Sequence, residues 1–197
     1  MDQINSYRLG IKIFSALAMA IVLCDVSMLL FLNFTADSTT WTIVLQIVLL
    51  LALYSTIYST VWKEGYRERN RVQCGYSEED LLKGLKGGAL AIVPHYLLLA
   101  LLLALRIFNV DISGVYRLIN FFAITLINVF MQPGAEIRDV AVWQVLASSC
   151  FVAVIPLVSW GAFALGYRRF SFMDVLIYRK QATPLTREEA SKIKKRR

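Results

Sequence analysis

The chain has 197 residues, of which 57% are hydrophobic and 18% are charged, and its mean hydropathy is +0.57. This composition lies outside the usual range for a soluble domain, and no polar stretch is long enough to form a second, soluble domain. The net charge of +7 does not indicate a nucleic-acid partner. Residues 168–197 carry ten Lys and Arg against three Asp and Glu, so this segment accounts for the whole excess.

Four apolar runs are long enough to cross a bilayer, whose hydrocarbon core of about 30 Å requires roughly 20 helical residues. In chain order they cover residues 13–34, 41–62, 89–108 and 142–167. The first run is too long for the apolar part of a signal peptide and continues past Ala18-Met19-Ala20, so we interpret it as a retained span. The sequence therefore predicts an all-α, polytopic membrane helix bundle in residues 1–180, followed by a basic cytoplasmic tail at 181–197.

A fifth apolar segment, at residues 114–131, is shorter and is interrupted by Asn120 and Asn128. Segments of this length are more often re-entrant or interfacial than spanning. Five full spans from a cytoplasmic N-terminus would place the basic tail outside, whereas four spans place it inside. We expect four spanning helices plus one partly inserted helix at 114–131, with five spanning helices as the alternative.

The distribution of Lys and Arg between the loops predicts the orientation. Residues 1–12 carry Arg8 and Lys12 against one acidic residue, residues 33–40 carry no Lys or Arg, and residues 63–88 carry six. Because cytoplasmic loops are enriched in Lys and Arg, both termini and the loop at 63–88 are expected in the cytoplasm.

Two amphipathic segments are expected on the cytoplasmic side. Ser77, followed by three acidic residues, is typical of a helix N-cap and predicts a helix that begins there. Residues 168–180 mix apolar and basic side chains, which is typical of a helix lying on anionic lipid. The candidate contacts with lipid headgroups are Arg168, Arg169, Arg179 and Lys180.

Three ionisable residues are candidates for lining a substrate or ion path. Asp25 lies in the middle of the first span, where an unpaired carboxylate is costly. His95, the single histidine, directly follows Pro94 in the third span, and Arg106 ends that span. Each also has a structural interpretation: Asp25 pairs with a polar group of another helix, His95 is hydrogen-bonded in a packed bundle, and Arg106 extends to the outer headgroups. In the last span, Ser148, Ser149, Ser159 and Gly161 are expected to form a small packing face.

The sequence contains no motif that indicates catalysis or a cofactor. It has no Gly-rich phosphate loop, no H-E-x-x-H and no G-x-S-x-G motif, so we assign no catalytic residue and no cofactor. Cys24, Cys74 and Cys150 are widely spaced and form no C-x-x-C pair, so no metal site is expected. The absence of an internal repeat also disfavours a single-chain secondary transporter.

Four groups of residues carry a resemblance to a known family. They are Gly65-Tyr66 with Asn70; Asp80 with Lys83-Gly84-Leu85-Lys86-Gly87 and Pro94; Tyr116-Arg117-Leu118-Ile119-Asn120; and Leu165-Gly166-Tyr167-Arg168-Arg169 followed by Leu176-Ile177-Tyr178. Together they resemble small integral membrane proteins of Gram-positive, mainly clostridial, bacteria, a family with no established activity. The resemblance implies a location in a bacterial plasma membrane and no catalytic function.

These observations predict a non-enzymatic accessory or structural subunit that acts through helix–helix and lipid contacts. Its expected partners are the lipid bilayer with its anionic headgroups and either a second copy of the chain or another membrane protein. The first alternative is a small transporter or channel subunit, in which an oligomer forms a polar path. A weaker alternative is a lipid-handling membrane enzyme.

Overall fold

The computed structural model describes residues 2–35, 39–108, 110–132 and 139–168. Within these residues the chain forms eight α-helices and one 3₁₀ turn, and no strand, which confirms the predicted all-α class. The long helices are α1 (Asp2–Thr35), α2 (Thr39–Gln73) and α3 (Lys83–Ile107). They are followed by α4 (Ser113–Ile119), the 3₁₀ turn Phe121–Ala123, α5 (Ile124–Phe130), α6 (Val142–Ser148), α7 (Cys150–Ala153) and α8 (Ile155–Tyr167).

Four helical segments of the described chain are long and apolar enough to cross a membrane. They are Ser6–Phe31, Thr40–Gln73, Lys83–Ile107 and Cys150–Tyr167, and the bent pair Ser113–Ile119 and Phe121–Phe130 raises the number to five if it forms one span. The number of long apolar helices agrees with the sequence prediction. The helices α1 and α2 extend beyond the predicted spans, and an ion pair of 2.9 Å between Lys12 and Glu64 joins these extensions.

The four long segments pack in a closed ring in the order α1, α2, α8, α3, so that each contacts two neighbours. Their inward faces form the core, in which Ile13, Ile57 and Ile155 are fully buried. Many large apolar side chains point outward instead; Leu51 is 63% exposed and Leu97 is 64% exposed. Extended apolar surface of this kind is expected where helices face lipid or another protein.

Glycines allow the helices to approach closely at one end of the ring. A Cβ atom on Gly166 of α8 would overlap the backbone carbonyl of Trp62, and one on Gly65 of α2 would overlap the carbonyl of Phe163. The two glycines are therefore reciprocal contacts between α2 and α8. Gly84 likewise brings α3 against α8, where an added Cβ would lie 2.7 Å from the Ser159 carbonyl oxygen.

The last predicted span is less regular than expected. Helix breaks at Ser149 and Val154 divide residues 142–167 into α6, α7 and α8. Pro156 explains the second break, because it has no amide hydrogen to donate to the carbonyl four residues earlier and its ring crowds that carbonyl. The Tyr54 hydroxyl of α2 donates a 2.8 Å hydrogen bond to the Phe151 carbonyl beside this break.

The predicted small packing face of the last span is correct for its serines and wrong for Gly161. Ser148, Ser149 and Ser159 are fully buried. A Cβ atom on Gly161, however, would meet no described atom within 4 Å. The rotation of α8 about its own axis explains this difference, because it places Gly161 on the side that faces away from the neighbouring helices.

Replacing Gly166 by alanine is expected to lower the free energy of unfolding by about 1–3 kcal/mol, because the added methyl group forces α8 away from α2. The matched control is Gly161→Ala, which adds the same methyl group to the same helix and is expected to leave the stability nearly unchanged. Denaturant-induced unfolding in detergent micelles measures both variants. Equal destabilisation by the two substitutions would contradict the contact.

Candidate functional site

The segment predicted to be partly inserted is sharply bent. Helix α4 and the helical segment Phe121–Phe130 meet at an angle of 91°, the geometry of a broken span or a re-entrant loop. Asn120 lies at this corner and is fully buried, and its Nδ2 atom donates a 3.0 Å hydrogen bond to the Tyr116 carbonyl. Because the helix is interrupted at this corner, the first backbone N–H groups that follow it have no carbonyl acceptors in a preceding helical turn.

Asp25 of α1 supplies the missing acceptor. Its Oδ1 atom accepts a 2.8 Å hydrogen bond from the backbone N–H of Phe122, and the backbone of Phe121 interacts with the same carboxylate. A carboxylate that caps the first amides of a helical turn matches both their hydrogen-bonding requirement and their partial positive charge. Asp25 is thus an N-cap provided by another helix.

The capped segment is held against α2 and α7 as well. Gln46, which is buried in α2, donates a 2.9 Å hydrogen bond from Nε2 to the hydroxyl of Thr125. The fully buried ring of Phe122 contacts the ring of Phe151 edge to face, with 5.6 Å between the ring centroids. The bent segment is therefore a fixed part of the bundle.

His95 is surrounded by aromatic rings. The centroids of Tyr96, Tyr116 and Phe151 lie 5.9–6.0 Å from the imidazole centroid. The Nε2 atom of His95 is buried and has no hydrogen-bond partner among the described residues, and the same holds for Oδ1 of Asn120. Near this ring, the hydroxyls of Tyr116 and Ser148 are 3.3 Å apart.

Arg106 and Arg117 both bind backbone carbonyl groups. The Arg106 guanidinium donates a 2.8 Å hydrogen bond to the Val140 carbonyl, and the Arg117 guanidinium donates one of 2.8 Å to the Gln132 carbonyl. They hold the two sides of the connection between α5 and α6, whose residues 133–138 lie outside the described residues. The structure thus places Asp25, His95 and Arg106 in three different surroundings.

A second polar cluster, at the glycine-rich end of the ring, was not predicted from the sequence. The ammonium of Lys83 lies 2.6 Å from Oε1 of Glu68, and both side chains are at most 5% exposed. Ser77 donates a hydrogen bond to the same carboxylate, and Arg71 pairs with its other oxygen at 3.3 Å. The cluster joins the end of α2, the connecting loop and the start of α3.

This cluster also corrects the predicted helix start at Ser77. The Ser77 hydroxyl binds Glu68, and α3 begins six residues later at Lys83. Asp80 accepts the 2.9 Å hydrogen bond from the Leu82 amide near the helix start. The sequence contains a signal for this ion pair. Glu68 lies six residues after the second apolar run, and Lys83 lies six residues before the third. Because these distances are equal, both side chains are expected at the same depth along the bundle.

The basic side chains at this end of the bundle interact largely with the protein itself. Arg67 pairs with Glu64 at 2.7 Å, and Arg69 donates a 3.3 Å hydrogen bond to the Tyr167 carbonyl at the end of α8. Arg168 follows that helix end and is exposed. The other candidate headgroup contacts, Arg169, Arg179 and Lys180, lie outside the described residues, as does most of the predicted interfacial helix.

Within the described residues, no group of three or more His, Cys, Asp or Glu side chains has the arrangement needed to hold a metal ion. The arrangement at the bend can hold a helical turn in place and can keep buried polar groups close to His95.

Replacing Asp25 by alanine is expected to cost about 1–3 kcal/mol of stability, because the Phe122 amide then stays buried without an acceptor. Asp25→Asn retains an oxygen acceptor and is expected to recover most of that loss. Ser27→Ala is the control in the same helix, since the Ser27 hydroxyl donates to the Leu23 carbonyl one turn earlier in that helix. Unfolding in micelles is the measurement, and an asparagine variant as unstable as the alanine variant would contradict the capping role.

Comparison with known proteins finds no matching family model, no similar curated protein and no similar solved structure. The resemblance to small clostridial membrane proteins therefore stays a prediction that depends on the sequence motifs alone. The residues and their geometry are the basis for the functional proposal.

Proposed function

We propose that this chain is a multi-pass protein of a bacterial plasma membrane that acts as a non-enzymatic accessory or structural subunit. It works through contacts of its helix faces with lipid and with a partner membrane protein or a second copy of the chain. The observation that carries the proposal is the use of its polar side chains: Asp25, Arg106 and Arg117 bind backbone groups of the protein itself. Substrate-binding residues would instead be directed at a shared open site.

The outer surface supports the same function. Exposed apolar side chains cover the long helices, among them Leu23 of α1, Leu51 of α2, Leu97 of α3 and Leu157 of α8. These exposed helix faces provide apolar surface that a partner could contact. Inside a membrane such contacts depend on close packing and a few polar interactions.

The arrangement of the helix ends supports four spans with cytoplasmic termini. Lys12 of α1 pairs with Glu64 of α2, and Arg69 of α2 binds the carbonyl of Tyr167 at the end of α8. The beginning of α1 and the end of α8 therefore lie at the same end of the ring, an arrangement that supports an even number of crossings. This end also carries Lys83 and Arg168, in agreement with the enrichment of basic residues on the cytoplasmic side.

Cysteine labelling of intact cells tests this orientation. In a background without Cys24 and Cys150, the exposed native Cys74 is expected to react with an impermeant maleimide only after the cells are permeabilised. Gly134→Cys in a cysteine-free background is expected to react in intact cells, and Ala190→Cys is expected to behave like Cys74. Labelling of Ala190→Cys in intact cells would support five spans.

The alternative, a transporter or channel subunit, has one specific observation in its favour. The buried Nε2 of His95 and Oδ1 of Asn120 have no partner among the described residues, and both lie near the fully buried Tyr116. A polar centre of this kind is typical of membrane-embedded functional residues. Arg106, the third candidate for the path, lies near the end of α3.

Native mass spectrometry after mild extraction distinguishes the two functions. The accessory function predicts a complex of fixed stoichiometry with a second membrane protein or with another copy of the chain. Proteoliposomes provide the second measurement: a transport path predicts that His95→Ala abolishes flux while the midpoint of unfolding stays unchanged. A monomer without a partner, together with flux that depends on His95, would overturn the proposed function.

A further inference from the structure

An open groove runs between α1 and α3 on the outside of the ring. Its wider part has a volume of about 720 Å³ and is continuous with a hollow of about 330 Å³, since Tyr7, Leu90 and Val93 line both. Its floor forms where Gly10 lets the two helices approach; an added Cβ there would lie 2.9 Å from Cβ of Leu90. Volumes of this size are typical of sites that hold a small ligand.

The groove is apolar along most of its length and polar at one end. The residues that line the hollow of about 330 Å³ include Ile11, Phe14 and Pro94. The polar end is lined by Ser6, Tyr7, Asp80 and Lys86. Along α3, the distance from Lys86 to Pro94 is about 12 Å at 1.5 Å per helical residue. An amphiphile with a polar head and an apolar chain therefore matches the lining of the groove.

The two charges at the polar end form a pair that remains open to a ligand. Lys86 and Asp80 are 2.8 Å apart, and their side chains are 55% and 28% exposed. The hydrogen bond from Lys86 holds the pKa of the Asp80 carboxyl below its usual range, so that this group is an anion at neutral pH. A ligand head with one negative and one positive group complements this pair.

We propose that the groove between α1 and α3 binds a phospholipid of the phosphatidylethanolamine type. Its phosphate accepts hydrogen bonds from Lys86 and the Tyr7 hydroxyl, its primary ammonium donates to Asp80, and one acyl chain lies along Leu90 and Val93. Lys86 precedes the third apolar run by three residues, so the pair lies at the depth of the headgroups when this run spans the bilayer.

The same chemistry predicts the lipid preference. Phosphatidylcholine has the same net charge, but its quaternary ammonium has no N–H to donate to Asp80. Phosphatidylglycerol lacks the cation altogether and would leave Asp80 facing an anionic lipid. An ammonium–carboxylate hydrogen bond is charge-assisted, so we expect the ethanolamine lipid to bind about tenfold more tightly than the other two.

Lipid titration of the delipidated full-length protein in detergent, followed by native mass spectrometry, tests the site with three lipids of identical acyl chains. Asp80→Asn is expected to abolish the preference for ethanolamine over choline, since the amide still accepts from Leu82 but carries no charge. Lys86→Gln is expected to weaken binding of all three lipids. Val93→Trp, which fills the groove, is expected to abolish the tight site.

Each variant has a matched control outside the groove. Glu78→Gln and Lys63→Gln remove the same charges from exposed positions on the same side of the bundle, and Leu101→Trp adds the same ring to an exposed position of α3. The controls are expected to retain the preference. Equal affinity of the unmodified protein for the three lipids would overturn the proposal, as would a preference that survives in Asp80→Asn.

The proposed lipid site rests on the proposed membrane location, and separate experiments test the two proposals. Alkaline carbonate extraction reports on the location: release of the chain from membranes would overturn both. A chain that stays in the membrane but shows no preference among the three lipids would overturn the lipid site alone. Thermal unfolding of every variant verifies that lost binding does not result from lost folding.

Discussion

The hydrogen bond between the Phe122 amide and Asp25 is the interaction on which the irregular half of the bundle depends. A long helix satisfies its own backbone, but a chain that turns through 91° leaves amides without acceptors in a preceding turn, and here Phe122 is fully buried. The carboxylate of α1 binds these amides and so fixes the bent segment to the ring. Gln46 and Tyr54 of α2 then bind Thr125 and the Phe151 carbonyl, where the chain is irregular again. Side chains of the regular helices thereby hold the irregular ones in place, Asp25 and Tyr54 through backbone groups and Gln46 through a side chain.

The opposite end of the bundle is held together by different means. Glycines bring α2, α3 and α8 into backbone contact, and the pair of Glu68 and Lys83 joins α2 to α3 through the loop that connects them. A buried ion pair contributes little net stability, because the desolvation of both charges offsets their attraction. It does make one register of the two helices strongly preferable, since any shift would leave one charge buried alone. The ion pair therefore specifies the arrangement that the glycine contacts make compact.

The sequence predicted those features that depend on composition over long windows. Four long apolar helices and the interruption at Asn120 follow from hydropathy alone, and the structure confirms both. Features that depend on a single distant partner could not be predicted. Nothing local to Asp25 indicates that its acceptor role is directed at a backbone amide 97 residues away. The prediction of a helix cap at Ser77 is wrong for the same reason. The Ser77 hydroxyl binds the carboxylate of Glu68 and not a backbone amide at a helix start. The predicted packing role of Gly161 is wrong because a small residue allows a close helix contact but does not require one. The rotation of α8 about its axis directs Gly166, and not Gly161, toward α2.

The same contacts favour an accessory function over a path through a single bundle. From His95, the chain of contacts toward Asp25 passes through the rings of Phe151 and Phe122 before it reaches the capped amide. Phe122 is fully buried and Phe151 is 4% exposed, so the two candidates for a polar path are separated by packed aromatic side chains. A hydrated ion would have to displace both rings, and with them the turn that Asp25 caps. A path that avoids this cost would lie between subunits, where the exposed surface is apolar. The contacts of the interior hold the shape of the bundle, which supports the proposal that the protein acts through its outer faces.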